Sequence, residues 1–422
     1  MEQTLALDWQ RHPSGGLLVR LLATFSGQPP VNAARVPLSL CLVLDRSGSM
    51  EGDRLEAART AARTVAQRMH PDDRLGVVLF DHDVQTLAEP NTAAHQPDLL
   101  ERLVHVTARG STNLSGGWLR GEQLLHALAG EGRTTRLVLL TDGHANQGIV
   151  DPAQLRALAA GARARGVTTS TVGFGEGYDE DLLRGLADAG GGNAWYVERP
   201  DQATDVFGEE LGGLLALVAQ DVQVTLRLRG PAAHLELLQD WPASGIANGI
   251  RLDLGDLHAR EPKRVLARWF VPDAFVAPDT VLGEVECTAA VVTPTGIERR
   301  VTTTPITASF DAQERVEPTI AREVLAAEAA RARQRAVELG DQGDAAGAAS
   351  YLSAAASAMG SLAPDDPATA EQVRELEAMA RKYAYREVSE SDRKYLKQRA
   401  YNQRRGKAGY DAMLRRKPES GA

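Results

Sequence analysis

Two short segments of the chain are apolar at successive positions and end at an aspartate. Residues 41–44 precede Asp45, and residues 137–140 precede Thr141 and Asp142. A strand covered on one face alternates apolar and polar residues, whereas a strand buried on both faces is apolar throughout. The two segments therefore predict central strands of a mainly parallel sheet with helices on both faces.

The region from residue 36 to residue 219 alternates strand-like and helix-like segments. Predicted strands lie at 39–44, 75–80, 137–141, 168–173 and 194–197, and predicted helices at 54–69, 97–107, 115–128, 152–165, 179–189 and 201–219. Such alternation is typical of a doubly wound α/β sheet. Because ligands bind at the carboxyl ends of its strands, Asp45 and Asp142 fall where a binding site is expected.

Oxygen-bearing side chains are concentrated at this predicted edge. Asp45, Ser47 and Ser49 form an Asp-x-Ser-x-Ser segment, and Thr112 lies in a Gly-rich loop before a predicted helix. Asp and Ser are common in turns and helix caps, so each piece alone carries little weight. Together with Asp142, they supply the hard oxygen ligands that Mg²⁺ prefers. Their order and their places at strand and loop ends indicate a divalent cation site.

These motifs, in this order, resemble the von Willebrand factor A domain with its metal-ion-dependent adhesion site. The resemblance extends through Tyr196 and covers residues 36–219, about half of the chain. It implies that the metal is held by Asp45, Ser47, Ser49, Thr112 and Asp142. In the family the serines contact the metal directly and the aspartates often act through water. The resemblance implies Mg²⁺, with Mn²⁺ or Ca²⁺ as alternatives, and an open position for an Asp or Glu of a partner protein.

The sequence pattern changes on both sides of this region. From 220 to 312, short alternating segments separated by Gly and Pro predict a module of β-strands. Residues 1–35 contain two further strand-like segments, which cannot form a stable domain alone. We expect them to complete a β-sandwich with 220–312, so that the α/β domain is inserted into the sandwich. This organisation resembles the integrin β chain, which carries its A domain within a hybrid domain.

The last part of the chain is predicted to be helical and then basic. Residues 313–390 are Ala-rich with helical periodicity and predict a helical hairpin or bundle, which we expect to pack on the sandwich or to mediate self-association. Residues 391–422 form a basic tail with interleaved tyrosines, which predicts either an arm for acidic surfaces or nucleic acid, or a solvated end. The predicted segments are therefore 1–35, 36–219, 220–312, 313–390 and 391–422.

Composition narrows the classes of partner. The net charge of −9 disfavours nucleic-acid binding, except through the basic tail. The first residues lack the pattern of a signal peptide, and no apolar stretch is long enough to cross a bilayer. We therefore expect a cytoplasmic location and no membrane partner. The resemblance implies an A-domain protein of the bacterial multidomain type. The chain has two cysteines, Cys41 and Cys287, of which Cys41 is expected in the core.

The sequence favours binding over catalysis. It contains no His-Glu-x-x-His, Cys-x-x-Cys or Gly-x-Ser-x-Gly motif, and His144, which follows the second aspartate, is expected to contact partners beside the site. We predict a non-enzymatic, Mg²⁺-dependent protein-interaction module. Alternatives are an adaptor of an AAA+ ATPase, a member of a bacterial phosphorylation-signalling complex and, less favoured, an RNA-associated protein. The resemblance also implies that the helix at 201–219 moves when ligand binds.

Overall fold

The computed structural model describes residues 1–27, 36–92, 98–129, 132–142, 145–175, 178–197, 202–229, 235–259, 261–277, 280–293, 296–310, 314–362 and 366–404. The chain divides into two compact units. One comprises Met1–Gln28, Asp221–Ala289 and Arg299–Ala422, and the other comprises Pro29–Gln220 and Ala290–Glu298. The second unit contains the predicted α/β sheet.

The strands, in chain order, are β1 (Glu2–Arg11), β2 (Leu17–Ser26), β3 (Leu38–Asp45), β4 (Arg74–Phe80), β5 (Val84–Asn91), β6 (Thr134–Thr141), β7 (Thr168–Phe174), β8 (Gly191–Val197), β9 (Leu217–Leu228), β10 (Glu236–Leu237), β11 (Ala243–Ile246), β12 (Gly249–His258), β13 (Lys263–Val271), β14 (Thr280–Thr293) and β15 (Gly296–Ala308). The α-helices are α1 (Asp53–Arg68), α2 (Leu99–Val104), α3 (Leu114–His126), α4 (Pro152–Ala164), α5 (Glu180–Gly190), α6 (Ala203–Leu215), α7 (Pro318–Asp341), α8 (Ala345–Leu362), α9 (Pro367–Tyr385) and α10 (Glu390–Arg404).

The sheet of the α/β unit has the strand order β5-β4-β3-β6-β7-β8. All of its pairings are parallel except that of β5 with β4. The central strands β3 and β6 are buried at every position, as their uninterrupted apolar runs predict. The chain leaves β3 toward β4 and later returns to β6 on the opposite side, so the carboxyl ends of β3 and β6 flank the switch point at which such sheets bind ligands.

Helices cover both faces of this sheet. On one face Val43 and Leu139 pack with Trp118 of α3 and Leu155 of α4. Small residues let α3 come close, because a Cβ at Gly121 would lie 2.5 Å from the Val43 side chain. The helices α1 and α6 pack against each other, and α1 also contacts β3. The predicted doubly wound, mainly parallel sheet is therefore confirmed.

The edges of the unit differ from the predicted elements. The antiparallel edge strand β5 was not predicted, and it contains Pro90, which strands tolerate at a sheet edge because Pro donates no hydrogen bond. The helix predicted at 201–219 ends at Leu215, because the chain enters β9 at Leu217. The helix predicted at 97–107 is limited to α2, and residue 97 lies outside the described residues.

The strands of the other unit form antiparallel sheets. One sheet has the order β1-β2-β13-β10, in which β2 pairs antiparallel with both β1 and β13. The other sheet has the order β11-β12-β9-β14-β15. Strands from the start of the chain thus share a sheet with strands that follow the α/β region. The predicted fold class, an α/β domain inserted in a β-sandwich and followed by a helical region, is confirmed at this level.

The C-terminal helices pack around a common core. Ala329 and Ala336 of α7 are fully buried, as are Ala348 and Leu352 of α8. Small side chains at these positions allow close helix–helix contact, which was expected from the Ala-rich sequence. Within the described residues, none of the helices is both long enough and apolar enough to cross a membrane.

The first part of the predicted basic tail, which starts at residue 391, is helical. The helix α10 ends at Arg404 and places Leu396 in the helical core. Lys394 and Arg399 are buried rather than solvated, and Arg399 forms an ion pair with Glu375 of α9. These basic side chains are engaged within the protein because α10 packs on the bundle. Residues 405–422 lie outside the described residues.

Candidate metal-binding site

Asp45 lies at the carboxyl end of β3 and is fully buried. Its Oδ1 accepts a hydrogen bond from the Ser47 N–H at 2.8 Å, and its Oδ2 accepts one from the Thr141 hydroxyl at 2.5 Å. The pKa of Asp45 is raised to about 6, mainly by burial and to a smaller extent by neighbouring Asp142, although these hydrogen bonds act to lower it. The ionised carboxylate is therefore under-compensated, and a cation beside it would be stabilising.

A chain of hydrogen bonds joins the serines to the second aspartate. The hydroxyl oxygens of Ser47 and Ser49 lie 3.2 Å apart, and the Ser49 hydroxyl donates to Asp142 Oδ1 at 2.8 Å. The Asp142 side chain is fully buried, whereas Ser49 is exposed. Two carboxylates and two hydroxyls thus meet at the edge of the sheet, and Ser49 opens the group to solvent.

Thr112 lies in the neighbouring loop. It is 4% exposed, and its N–H donates to the Asn146 side chain at 2.8 Å. The loop is fixed to the serine loop, since the Gly48 N–H donates to the Gly110 carbonyl at 3.1 Å. Among the described residues, the Thr112 hydroxyl makes no hydrogen bond to Asp45, Ser47, Ser49 or Asp142. The structure therefore joins those four directly and brings only the loop of Thr112 beside them. His144 lies outside the described residues.

Asp81 supports both loops and was not predicted as a site residue. It follows β4, is fully buried, and its Oδ2 accepts hydrogen bonds from Arg46 Nε at 2.7 Å and Arg109 Nε at 2.8 Å. Its carbonyl accepts from the Asn113 N–H. Burial acts to raise the pKa of Asp81, but the N–H of Asp83 and the two guanidinium groups lower it overall. An apolar run ending in aspartate, the signal used for Asp45 and Asp142, also marks this position.

Asp81 also belongs to a second group of potential ligands. Ligand atoms of Asp81, His82 and Asp83 all lie within 4.8 Å of one another. The His82 ring approaches the Asp81 and Asp83 carboxylates at 3.0 and 3.3 Å. Because Arg46 and Arg109 already neutralise Asp81, a further cation here would meet repulsion. The edge formed by Asp45 and Asp142 is the better match to a hard divalent cation, since its donors are all oxygens and its charge is less compensated.

Comparisons with known proteins agree with this architecture. Residues 39–209 match the family model of the von Willebrand factor type A domain. The chain is 28% identical over 338 residues to protein sll0103 of Synechocystis, covering 76% of this chain and 78% of that one. It is 31% identical over 160 residues to human inter-alpha-trypsin inhibitor heavy chain H3, covering 36% of this chain and 18% of that one. The chain thus spans less than a fifth of the inhibitor heavy chain.

Solved structures extend the likeness beyond the sheet. A von Willebrand factor type A protein from Catenulispora acidiphila superposes with a TM-score of 0.67 at 18% identity, covering 90% of this chain and 96% of that one. The ArnB paralog VWA2 from Sulfolobus acidocaldarius superposes with a TM-score of 0.57 at 15% identity, covering 96% and 97%. At these low sequence identities, the two superpositions show that the fold is shared. The resemblance first identified from the motifs is confirmed, and residues 39–209 of this chain form a von Willebrand factor type A domain.

Proposed function

We propose that this protein is a Mg²⁺-dependent protein-binding module. Its metal is held by Asp45, Ser47, Ser49, Thr112 and Asp142 and accepts an Asp or Glu from a partner. The observation that carries the proposal is the hydrogen-bonded group of two buried carboxylates and two hydroxyls at the carboxyl edge of the sheet. The family supports it, since A domains are commonly metal-dependent protein-interaction modules.

Each of the five proposed ligand residues has a distinct role at the site. Asp45 and Asp142 provide negative charge, Ser47 and Ser49 provide neutral oxygens, and Thr112 completes the set from the neighbouring loop. A bound metal would supply positive charge that attracts a carboxylate. The all-oxygen set favours Mg²⁺, with Mn²⁺ and Ca²⁺ as alternatives, over metals that select nitrogen or sulfur ligands.

We propose binding rather than catalysis because the acceptor of the Ser49 hydroxyl has other roles at this edge. A serine nucleophile needs a base free to take up its proton. The carboxylate that accepts from the Ser49 hydroxyl is Asp142, whose other oxygen accepts from Arg54 and which the metal would share. A cytoplasmic location and self-association through the C-terminal helices also remain proposals, which cell fractionation and light scattering would test.

Calorimetry tests the proposed function directly. MgCl₂ titrated into the metal-free full-length chain should give saturable binding with one ion per chain. Asp142→Asn should abolish it, whereas Asp205→Asn, which removes an exposed carboxylate from the same unit, should not. Pull-downs with Mg²⁺ and with chelator would then identify the partner. A wild-type chain that takes up no divalent ion would refute the proposal.

We further propose that the chain has five structural segments, 1–35, 36–219, 220–312, 313–390 and 391–422. The last of these begins within α10. The pairing of β2 with β13 supports joint folding of the first and third segments. Deleting residues 1–35 should remove two strands from a sheet and make 220–312 sensitive to limited proteolysis. Unchanged protease resistance of 220–312 would contradict the joint fold.

A further inference from the structure

Arg54 contacts the carboxylate that is central to the proposed metal site. It is the second residue of α1, and its Nη1 donates to Asp142 Oδ2 at 2.5 Å and to the Ser49 carbonyl at 3.2 Å. The guanidinium also lies against the backbone at Gly175, where a Cβ would come within 2.9 Å of Arg54 Nε. One oxygen of Asp142 thus faces Arg54 while the other faces Ser49.

The contact between Arg54 and Asp142 affects the net charge of the proposed metal site. Asp81 and Asp83 are matched by Arg46 and Arg109, which contact them directly. Among the described residues that are hydrogen-bonded within the group of Asp45, Ser47, Ser49 and Asp142, the ionisable side chains are the two carboxylates and the guanidinium of Arg54. When both carboxylates are ionised, they and Arg54 leave a single negative charge. A bound divalent cation would change the net charge of these groups from a single negative to a single positive charge. The loaded site would then favour an anion.

We infer that Arg54 is an internal counter-ion that competes with the metal. The inference rests on the proposed function, because it concerns the same site. Without metal, Arg54 neutralises Asp142 and holds the serine loop through the Ser49 carbonyl. With metal, its positive charge lies next to the cation and raises the free energy of the loaded state. Arg54 therefore sets the affinity for divalent cations below what the carboxylates alone would give.

Calorimetric titration of MgCl₂ into the full-length chain tests this inference. Arg54→Gln should bind Mg²⁺ about tenfold more tightly than wild type at low ionic strength, because one repulsive charge is removed. The gain should shrink when salt is raised from about 50 mM to about 500 mM, since mobile ions screen partly exposed charges. The Arg54 side chain is 40% exposed, so this screening reaches it.

Two further variants separate charge from shape. Arg54→Lys keeps the charge and should bind Mg²⁺ within about twofold of wild type, because the Coulomb repulsion remains. Arg63→Gln removes an exposed arginine from the same helix, about 13 Å further along its axis, and should leave the affinity unchanged. Denaturant unfolding of each variant reports whether the fold is retained.

The outcomes distinguish the inference from the function on which it rests. If wild type binds Mg²⁺ and Arg54→Gln binds it with equal or lower affinity, the counter-ion role is overturned. The same holds if Arg54→Lys binds tenfold more tightly than wild type, because loss of charge would then not be the cause. If wild type and every variant fail to bind, the proposed function itself has failed.

Discussion

Asp45 and Glu210 are both buried carboxylates of the α/β unit, yet their surroundings differ. Glu210 lies on α6 and is 3% exposed. It accepts hydrogen bonds from the Ser170 hydroxyl at 2.6 Å, the Trp195 indole at 2.7 Å and the Asn193 amide at 2.9 Å. Asp45 accepts from one N–H and one hydroxyl, and its charged neighbour is another carboxylate.

The two environments have opposite effects on the pKa. Burial acts to raise the pKa of Glu210, but the buried guanidinium of Arg136 and the three hydrogen bonds outweigh it, so the pKa is lowered. For Asp45 burial dominates, and the pKa rises to about 6. The charge of Glu210 is thus balanced within the domain, whereas that of Asp45 is suited to a cation from outside. The contrast separates a carboxylate whose charge is balanced within the protein from one that we propose holds a metal ion.

The largest expected effect is on stability, from Glu210→Gln. Removing the carboxylate takes a buried negative charge away from Arg136 and from three hydrogen-bond donors, which should lower the free energy of unfolding by about 3–4 kcal/mol. Urea denaturation measures this, with Glu209→Gln as the control, because Glu209 is the exposed neighbour on the same helix. Mg²⁺ affinity should stay unchanged. A loss below about 1 kcal/mol, the range of an exposed ion pair, would break the contrast with Asp45.

The second largest effect is the loss of stabilisation by Mg²⁺ in Asp142→Asn. Mg²⁺ at about 100 times its Kd should stabilise wild type by about 2.7 kcal/mol, because it binds the native state only. The variant should gain no such stabilisation, and each protein is compared with itself, so a change in metal-free stability does not affect the result. Thermal unfolding with and without MgCl₂ measures the stabilisation of both proteins. Equal Mg²⁺ stabilisation of the two proteins would show that Asp142 does not hold the ion.

A third, intermediate effect is expected for Asp81→Asn. Asp81 fixes the two loops that carry the proposed ligands, through Arg46 and Arg109. Its loss should weaken Mg²⁺ binding about tenfold, as is usual when a residue that orients metal ligands is replaced. The control is Asp83→Asn, which changes the net charge equally but acts on an exposed carboxylate. Calorimetry would contradict this role if both variants bound Mg²⁺ equally well.

The smallest effect is the pH dependence of the Glu210 contribution. Folding favours its ionised form, because its pKa in the folded state lies below the ordinary value of 4.5. Its contribution is therefore complete above about pH 4.5 and is lost as the pH falls through the lower, folded-state pKa. The stability difference between wild type and Glu210→Gln should shrink in that range. A difference that grows on acidification would mean that the sign is wrong.

Much of the candidate site could be predicted from local sequence. An apolar run that ends in aspartate identifies Asp45 and Asp142, because a carboxylate at the end of a buried strand can accept hydrogen bonds from the loop that follows. The same pattern marks Asp81, which was overlooked because no hydroxyl residues follow it closely. The buried basic residues of α10 could not be predicted, since a run of charges does not reveal whether a neighbouring helix will cover it.

The sequence by itself determined the class of fold, the strands that end at the proposed metal-binding edge and the residue types gathered there. These follow from periodicity and from the order of strand, loop and helix. Only the tertiary structure decided which charges are balanced internally. Arg54 and Asp142 lie 88 residues apart, and Glu210 meets Ser170 across 40 residues. Coulomb energy depends on distance and burial in space, and neither is encoded in the local pattern of residues.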